Sequence, residues 1–117
     1  MSWLIAWHEH LVLAEPVGQR APETTSEIEA AKRFPTWKDA RAWAVGLWGD
    51  DVFENTSRVF VISVDQLAAL RDWRSRHGLH WRSWLKKWWD RGDCAPELRQ
   101  LRNALGPEWL YKQRLVR

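Results

Sequence analysis

The side chains best suited to chemistry at neutral pH are the four histidines, which fall in two close pairs, His8-x-His10 and His77-x-x-His80. On a strand, His8 and His10 would share one face, and a metal site would need the second pair to converge on the first. Nothing in the sequence brings the pairs together, and the spacings of zinc sites are absent. Polar turn positions account for these histidines with fewer assumptions. A hydrolytic site would draw its acids from Glu9, Asp50, Asp51 and Glu54, with His8 or His10 as base. Asp50 and Asp51 directly follow Gly49, where carboxylates commonly solvate a loop. There is no Gly-x-Ser-x-Gly elbow, glycine-rich phosphate loop or His-Glu-x-x-His. Cys94 is the single cysteine, so neither an intrachain disulfide nor a cysteine-based zinc site can form. Its neighbour Asp93 opposes thiolate formation. The expectation is a non-catalytic protein without metal or cofactor.

The stretch richest in information is His80-Trp81-Arg82-Ser83-Trp84-Leu85-Lys86-Lys87-Trp88-Trp89-Asp90-Arg91. As a helix it predicts an inward stripe of Trp81, Trp84, Leu85 and Trp88, with Trp89 at the margin and Arg82, Lys86, Lys87 and Asp90 opposite. The segment Leu67–Gly92 that contains it has the outline of a helix-turn-helix, with Gly78-Leu79-His80 as the turn. The register argues against that motif. Arg74 stands where a small residue is expected four positions before Gly78, and the usual register would point Trp81, Leu85 and Trp89 at base edges, which large apolar side chains read poorly. Binding of single strands by tryptophan stacking beside cations fits the composition better. A membrane-surface helix has the same composition, but a position between two other helices predicts that this one folds into the body of the protein.

The elements that must hold these residues follow from periodicity and punctuation. Residues 3–14 are aromatic and β-branched and suit either a strand or a tight hairpin with Glu9-His10 as the turn, although the Gly or Asn typical of such turns is absent. Residues 15–26, with two prolines and a glycine, predict a surface loop. Residues 28–34 suit either a helix or a strand ending before Pro35. Thr36 with Asp39 three positions on predicts an N-cap for a helix over 37–48. Its face would be Trp37, Ala40, Trp43, Ala44, Leu47 and Trp48, and Gly49 would stop it. Val59–Val64, apolar at nearly every position, predicts a central strand. Asp65 is the expected cap of a helix over 66–77 with Leu67, Leu70 and Trp73 inward, stopped by Gly78. Pro96 at a first-turn position predicts a further helix through Leu98, Leu101 and Leu105 to Gly106. The tail carrying Trp109, Leu110, Tyr111, Leu115 and Val116 suits a short helix or a strand. The fold class predicted is α+β: a small antiparallel or mixed sheet with one helix packed on it, followed by a helical C-terminal half.

At 117 residues the chain predicts one domain, 1–117, with no internal linker. Its charge is uneven. Residues 1–70 carry six Lys/Arg against ten Asp/Glu, a net −4, whereas residues 71–117 carry twelve against five, a net +7. The basic half would attract an anionic partner. Eleven tryptophans against three Phe and one Tyr are many to hide in a small core, and exposed tryptophan is a frequent interface anchor. No apolar run approaches the ~18 residues of a membrane span, and the N-terminus lacks the features of a secretory signal, so a cytoplasmic location is expected. The function expected is that of a small interaction protein, an adaptor or inhibitor of the kind found among phage and mobile-element accessory proteins. It would bind a protein or nucleoprotein partner through Trp81, Trp89 and Trp109 as apolar anchors and Arg82, Lys86, Lys87 and Arg91 as charges. The alternative is direct nucleic-acid binding by the same surface.

Overall fold

The computed structural model describes residues 1–18, 20–54, 58–112 and 115–116. Of the two conformations that suit residues 3–14, the chain takes the hairpin, with strands β1 (Trp3–Trp7) and β2 (His10–Ala14). The turn is one residue earlier than expected: His8 and Glu9 make it, and His10 opposes Trp7 as the first residue of β2. His8 takes the left-handed conformation, φ 55°, that a tight hairpin requires and that glycine would supply more readily. Its backbone N–H donates to the Arg58 carbonyl at 2.6 Å, tying the turn to the chain entering the last strand. His8 and His10 therefore do not lie together on one strand face.

Within the segment expected to be loop, Glu23–Thr25 forms a short strand, β3, against β2. Its register slips between Val12 and Ala14, the kind of bulge that blunts a sheet edge. Three residues of Glu-Thr-Thr carry no apolar pattern, so pairing with β2 decides their conformation. On the other side of β1, Val59–Ser63 forms β4, antiparallel and in continuous register from Trp3 opposite Ser63 to Trp7 opposite Val59. The order β3-β2-β1-β4 makes β1 central and β4 an edge strand, not the central strand its sequence predicts. The apolar run in β4 reflects burial on both faces by helices rather than hydrogen bonding on both sides.

Alternation along the strands divides the side chains between two cores. Leu4, Ala6, Leu11, Phe60 and Ile62 face the C-terminal helices, while Ile5, Val12 and Val59 face the other way with Phe34, Ala40 and Ala44. The second face is covered by α1 (Trp37–Trp48), which Thr36 caps by accepting from the Asp39 N–H at 3.1 Å. Between the strands and this helix, residues 28–34 combine both suggested conformations. Ile28–Ala30 makes one 3₁₀ turn, and Phe34 exchanges two backbone hydrogen bonds of 2.9 Å with Trp3.

The chain passes from β4 directly into α2 (Val64–His77). The cap is Ser63, not Asp65: Ser63 Oγ accepts from the Gln66 N–H and Gln66 Oε1 accepts from the Ser63 N–H, both at 3.0 Å. Both residues are buried, so this reciprocal box satisfies donors that water cannot reach at the strand–helix junction. One 3₁₀ turn, Gly78–His80, leads into α3 (Trp81–Arg91), then α4 (Pro96–Leu105) and the short α5 (Trp109–Lys112). Leu67, Leu70, Leu85, Leu98, Leu101, Leu110 and Leu115 fill this side together with Trp73, Trp81, Trp89 and Trp109. The architecture is α+β, with an antiparallel sheet between α1 and a helical C-terminal half. No helix among the described residues is long and apolar enough to cross a membrane.

Candidate functional site

The basic, tryptophan-rich surface is built on the hairpin of α2 and α3. Trp73 fixes the two helices to each other: its indole N–H donates to the Trp81 carbonyl at 3.1 Å. From that joint the buried face of α3 runs Trp81, Leu85, Trp89, with exposures of 4%, 0% and 4%, while Trp84 is 42% exposed. The stripe is rotated by about 50° from the one expected, at 100° per residue. The sequence of α3 contains two overlapping apolar rows, Trp81-Leu85-Trp89 and Trp84-Trp88. Trp109 of α5 lies against Trp89, with ring centroids 6.5 Å apart, and selects the first row.

Two of the expected anchors, Trp81 and Trp89, are therefore core residues. So is Trp109, 3% exposed and packed on Phe60 with ring centroids 5.8 Å apart. Arg82 is half-buried: its Nε donates to the Leu110 carbonyl at 3.1 Å and its guanidinium lies 4.5 Å from the Trp81 ring. It holds α5 in place rather than extending into solvent. Arg71 does the same farther along, donating to the carbonyls of Leu115 and Ser26. Of the expected residues, Lys86, Lys87 and Arg91 are exposed.

The aromatic groups of the α2–α3 hairpin that do reach the surface are not the expected anchors, and they lie along the seam between the helices. His77 stacks on Trp73, with ring centroids 3.9 Å apart, and lies 6.3 Å from Trp84. Lys87 Nζ is 5.3 Å from the Trp84 ring centroid, and the Arg91 guanidinium is 5.9 Å from that of half-buried Trp88. Both separations allow attraction between cation and ring face. The i, i+3 relation of Trp84 to Lys87 and of Trp88 to Arg91 is the signal that identifies this strip in the sequence, once the buried row is known.

The strip is electrostatically unbalanced. Between residues 71 and 91 the cations are Arg71, Arg74, Arg76, Arg82, Lys86, Lys87 and Arg91, and the acids are Asp72 and Asp90 alone. Both acids are engaged: Asp72 with Arg76 at 3.0 Å and Asp90 with Arg102 at 3.2 Å. Such a surface attracts anions and repels other cations.

The histidines remain apart, two at the β hairpin and two at the helical turn, and no group of three or more His, Cys, Asp or Glu among the described residues is placed to hold a metal ion. Asp50, Asp51 and Glu54 are exposed around the 3₁₀ turn after α1. Cys94 is buried between α3 and α4, and burial pushes its thiol above the ordinary value, with Arg99 pulling the other way. A nucleophile needs the opposite shift. No protein-family model matches this chain, and comparison with curated proteins and with solved structures gives no match either.

Proposed function

We propose that this is a non-catalytic interaction protein, an adaptor or inhibitor, that binds an anionic protein or nucleoprotein partner through the α2–α3 hairpin. The observation that carries this reading is Trp84, 42% exposed on a helix whose only acid, Asp90, is already paired within the fold. Trp84 is the apolar anchor, His77 and Trp88 flank it, and Lys86, Lys87 and Arg91 supply the charge. A half-exposed tryptophan beside the His77 ring reaches a partner with little loss of side-chain freedom, and such residues commonly dominate interface energetics.

Direct nucleic-acid binding is the second reading. It is favoured by the pairing of Trp84 with Lys87 and of Trp88 with Arg91, since stacking surfaces beside cations suit single strands. Capture of partners from the native host, with and without nuclease, followed by affinity measurement across a salt series, separates the two. Phosphate-driven binding falls steeply and linearly in log[salt], whereas binding anchored on Trp84 falls much less. Trp84→Ala is expected to weaken the protein complex by about 2 kcal/mol or more, and Lys86→Glu/Lys87→Glu to weaken either complex. Wild-type binding by both variants would remove the proposal from this surface.

A further inference from the structure

The two edges of the sheet are not alike. β3 is three residues long and bulged. β4 keeps five residues in continuous register with β1 and contains no proline or lysine, so it lacks the usual devices that protect an edge. At its ends the His8 N–H donates to the Arg58 carbonyl and the Val64 N–H to the Ser2 carbonyl. Alternation along an antiparallel pair then gives the backbone groups of Phe60 and Ile62 to β1 and turns those of Val59, Val61 and Ser63 outward. Ser63 agrees, because its N–H is taken by Gln66 Oε1 and not by β1. The outward N–H and C=O of Val61 have no partner among the described residues. Here a cleft of about 150 Å³ runs past Phe60 and Val61, walled by Trp37, Arg41 and Phe53 and by Ala104 and Leu105 at the end of α4. We infer that this edge is a docking site for an extended segment of a partner protein, which pairs with β4 as a further strand and carries an acidic side chain to Arg41.

Phe60 and Val61 belong to the two opposite cores, so a cleft that touches both follows the strand edge itself rather than one face. Main-chain donors and acceptors left open along such an edge are satisfied by another extended backbone, which is the basis of strand addition. The volume lies below the roughly 300 Å³ of small-molecule sites and suits one apolar side chain set against Leu105. Charge specifies the rest of the occupant. The Arg41 guanidinium lies beside two rings of the cleft wall, 5.6 Å from the Trp37 centroid and 4.9 Å from that of Phe53. It makes no ion pair or side-chain hydrogen bond among the described residues. No acid lines the cleft, and Asp50, which lines the neighbouring groove that shares Trp37 and Arg41, does not pair with Arg41. A guanidinium held against rings is ordered in advance for a carboxylate, which it binds through two parallel N–H donors. Side chains alternate along the incoming strand, so an acid turned toward Arg41 leaves its neighbours to face Leu105. A second copy of this chain fits less well: two-fold pairing of β4 with itself would bring two Arg41 side chains to one edge with no acid between them.

The test is a ¹H–¹⁵N NMR titration of the full chain with a blocked peptide of about eight alternating glutamate and valine residues, repeated with lysine in place of glutamate. Saturable shifts are expected at the Val59 and Val61 amides, the Arg41 Nε–H and the Trp37 indole N–H. Exchange of the Val61 amide with solvent should slow about tenfold or more in the complex. Arg41→Gln should weaken binding about tenfold or more, and Arg41→Lys should keep part of it. Val61→Pro removes an N–H that β1 does not use, which an edge strand tolerates, and should abolish binding; the Arg41 variants decide the matter if this one does not fold. The inference is overturned if Val61 shows no saturable shift or no slowing of exchange, if the lysine peptide binds equally well, or if Arg41→Gln binds as wild type does. It is also overturned if the glutamate peptide shifts only Lys86, Lys87 and Arg91, or if the Val59 and Val61 amides shift with protein concentration alone, which would assign the edge to a second copy. Trp84→Ala should leave this titration unchanged, so the β4 edge and the α2–α3 strip stand or fall separately.

Discussion

The two faces of the sheet use tryptophan in opposite ways. On the α1 side, Trp3, Trp7, Trp43 and Trp48 are partly buried and Trp37 is 45% exposed, while the contacts with the sheet itself are made by fully buried Ala40 and Ala44. On the C-terminal side, Trp73, Trp81, Trp89 and Trp109 are all at most 6% exposed and form the core itself with leucines. Small residues let α1 lie close to the strands, and its tryptophans then close the rim of a thin interface. On the C-terminal side large rings and leucines fill the space between helices and sheet. The cations follow the same division. On the α1 side, Lys32 lies near both Phe34 and Trp43, at 5.5 and 5.4 Å, and Arg41 near both Trp37 and Phe53, at 5.6 and 4.9 Å. Each of these two cations lies near two rings, whereas on α3 Lys87 and Arg91 each lie near one ring and Lys86 near none among the described residues.

Trp89→Ala against Trp37→Ala tests this contrast most strongly. The first removes a core ring and should cost about 3–5 kcal/mol in denaturant unfolding; the second, at the rim, about 1 kcal/mol or less. Equal costs would abolish the distinction. Ala44→Leu comes next, with an expected destabilisation of about 1–3 kcal/mol because α1 has no room for the added methyl groups. A neutral outcome would show that the close approach through alanine is not what sets the spacing. The smallest effect concerns Cys94, in the C-terminal core. Burial raises its thiol above 9.0 in the folded protein, against the pull of a backbone hydrogen bond and of Arg99. Below that pH both folded and unfolded chains hold the proton. As pH rises above it, the unfolded chain ionises first and stability declines until the folded thiol also titrates. Unfolding of Cys94→Ala between pH 8 and 11 should therefore show a shallower alkaline decline than wild type, whatever the cavity costs at neutral pH.

Much of the fold was legible in the chain because its signals are local. Thr36 before α1, Pro96 at the start of α4, and Gly49, Gly78, Gly92 and Gly106 after four helices act within a few residues of their own position. Asp65 and Ser63 are about equally good caps by residue type, and the sequence reading places the cap of α2 at Asp65. The Ser63–Gln66 box becomes evident only when β4 is seen to run directly into the helix. The candidate site was half legible. Lys86 and Lys87 fall opposite the expected stripe at 100° per residue, whereas Arg91 falls beside Trp84, and Trp84 could not be distinguished from Trp81 or Trp89 by spacing alone.

By itself, then, the sequence determined the α+β class, the β character of residues 3–14, the bounds of the main helices and the concentration of positive charge in residues 71–117. Each of these follows from residue type and spacing along the backbone. Three things were decided only by tertiary structure. β4 lies at the sheet edge, because burial by helices on two faces imitates in sequence the burial of a central strand. Glu23–Thr25 becomes a strand, because β2 supplies the hydrogen bonds. The row Trp81-Leu85-Trp89 turns inward and leaves Trp84 outside, because α3 carries two overlapping apolar rows and Trp109, twenty residues beyond Trp89 in the chain, packs against one of them.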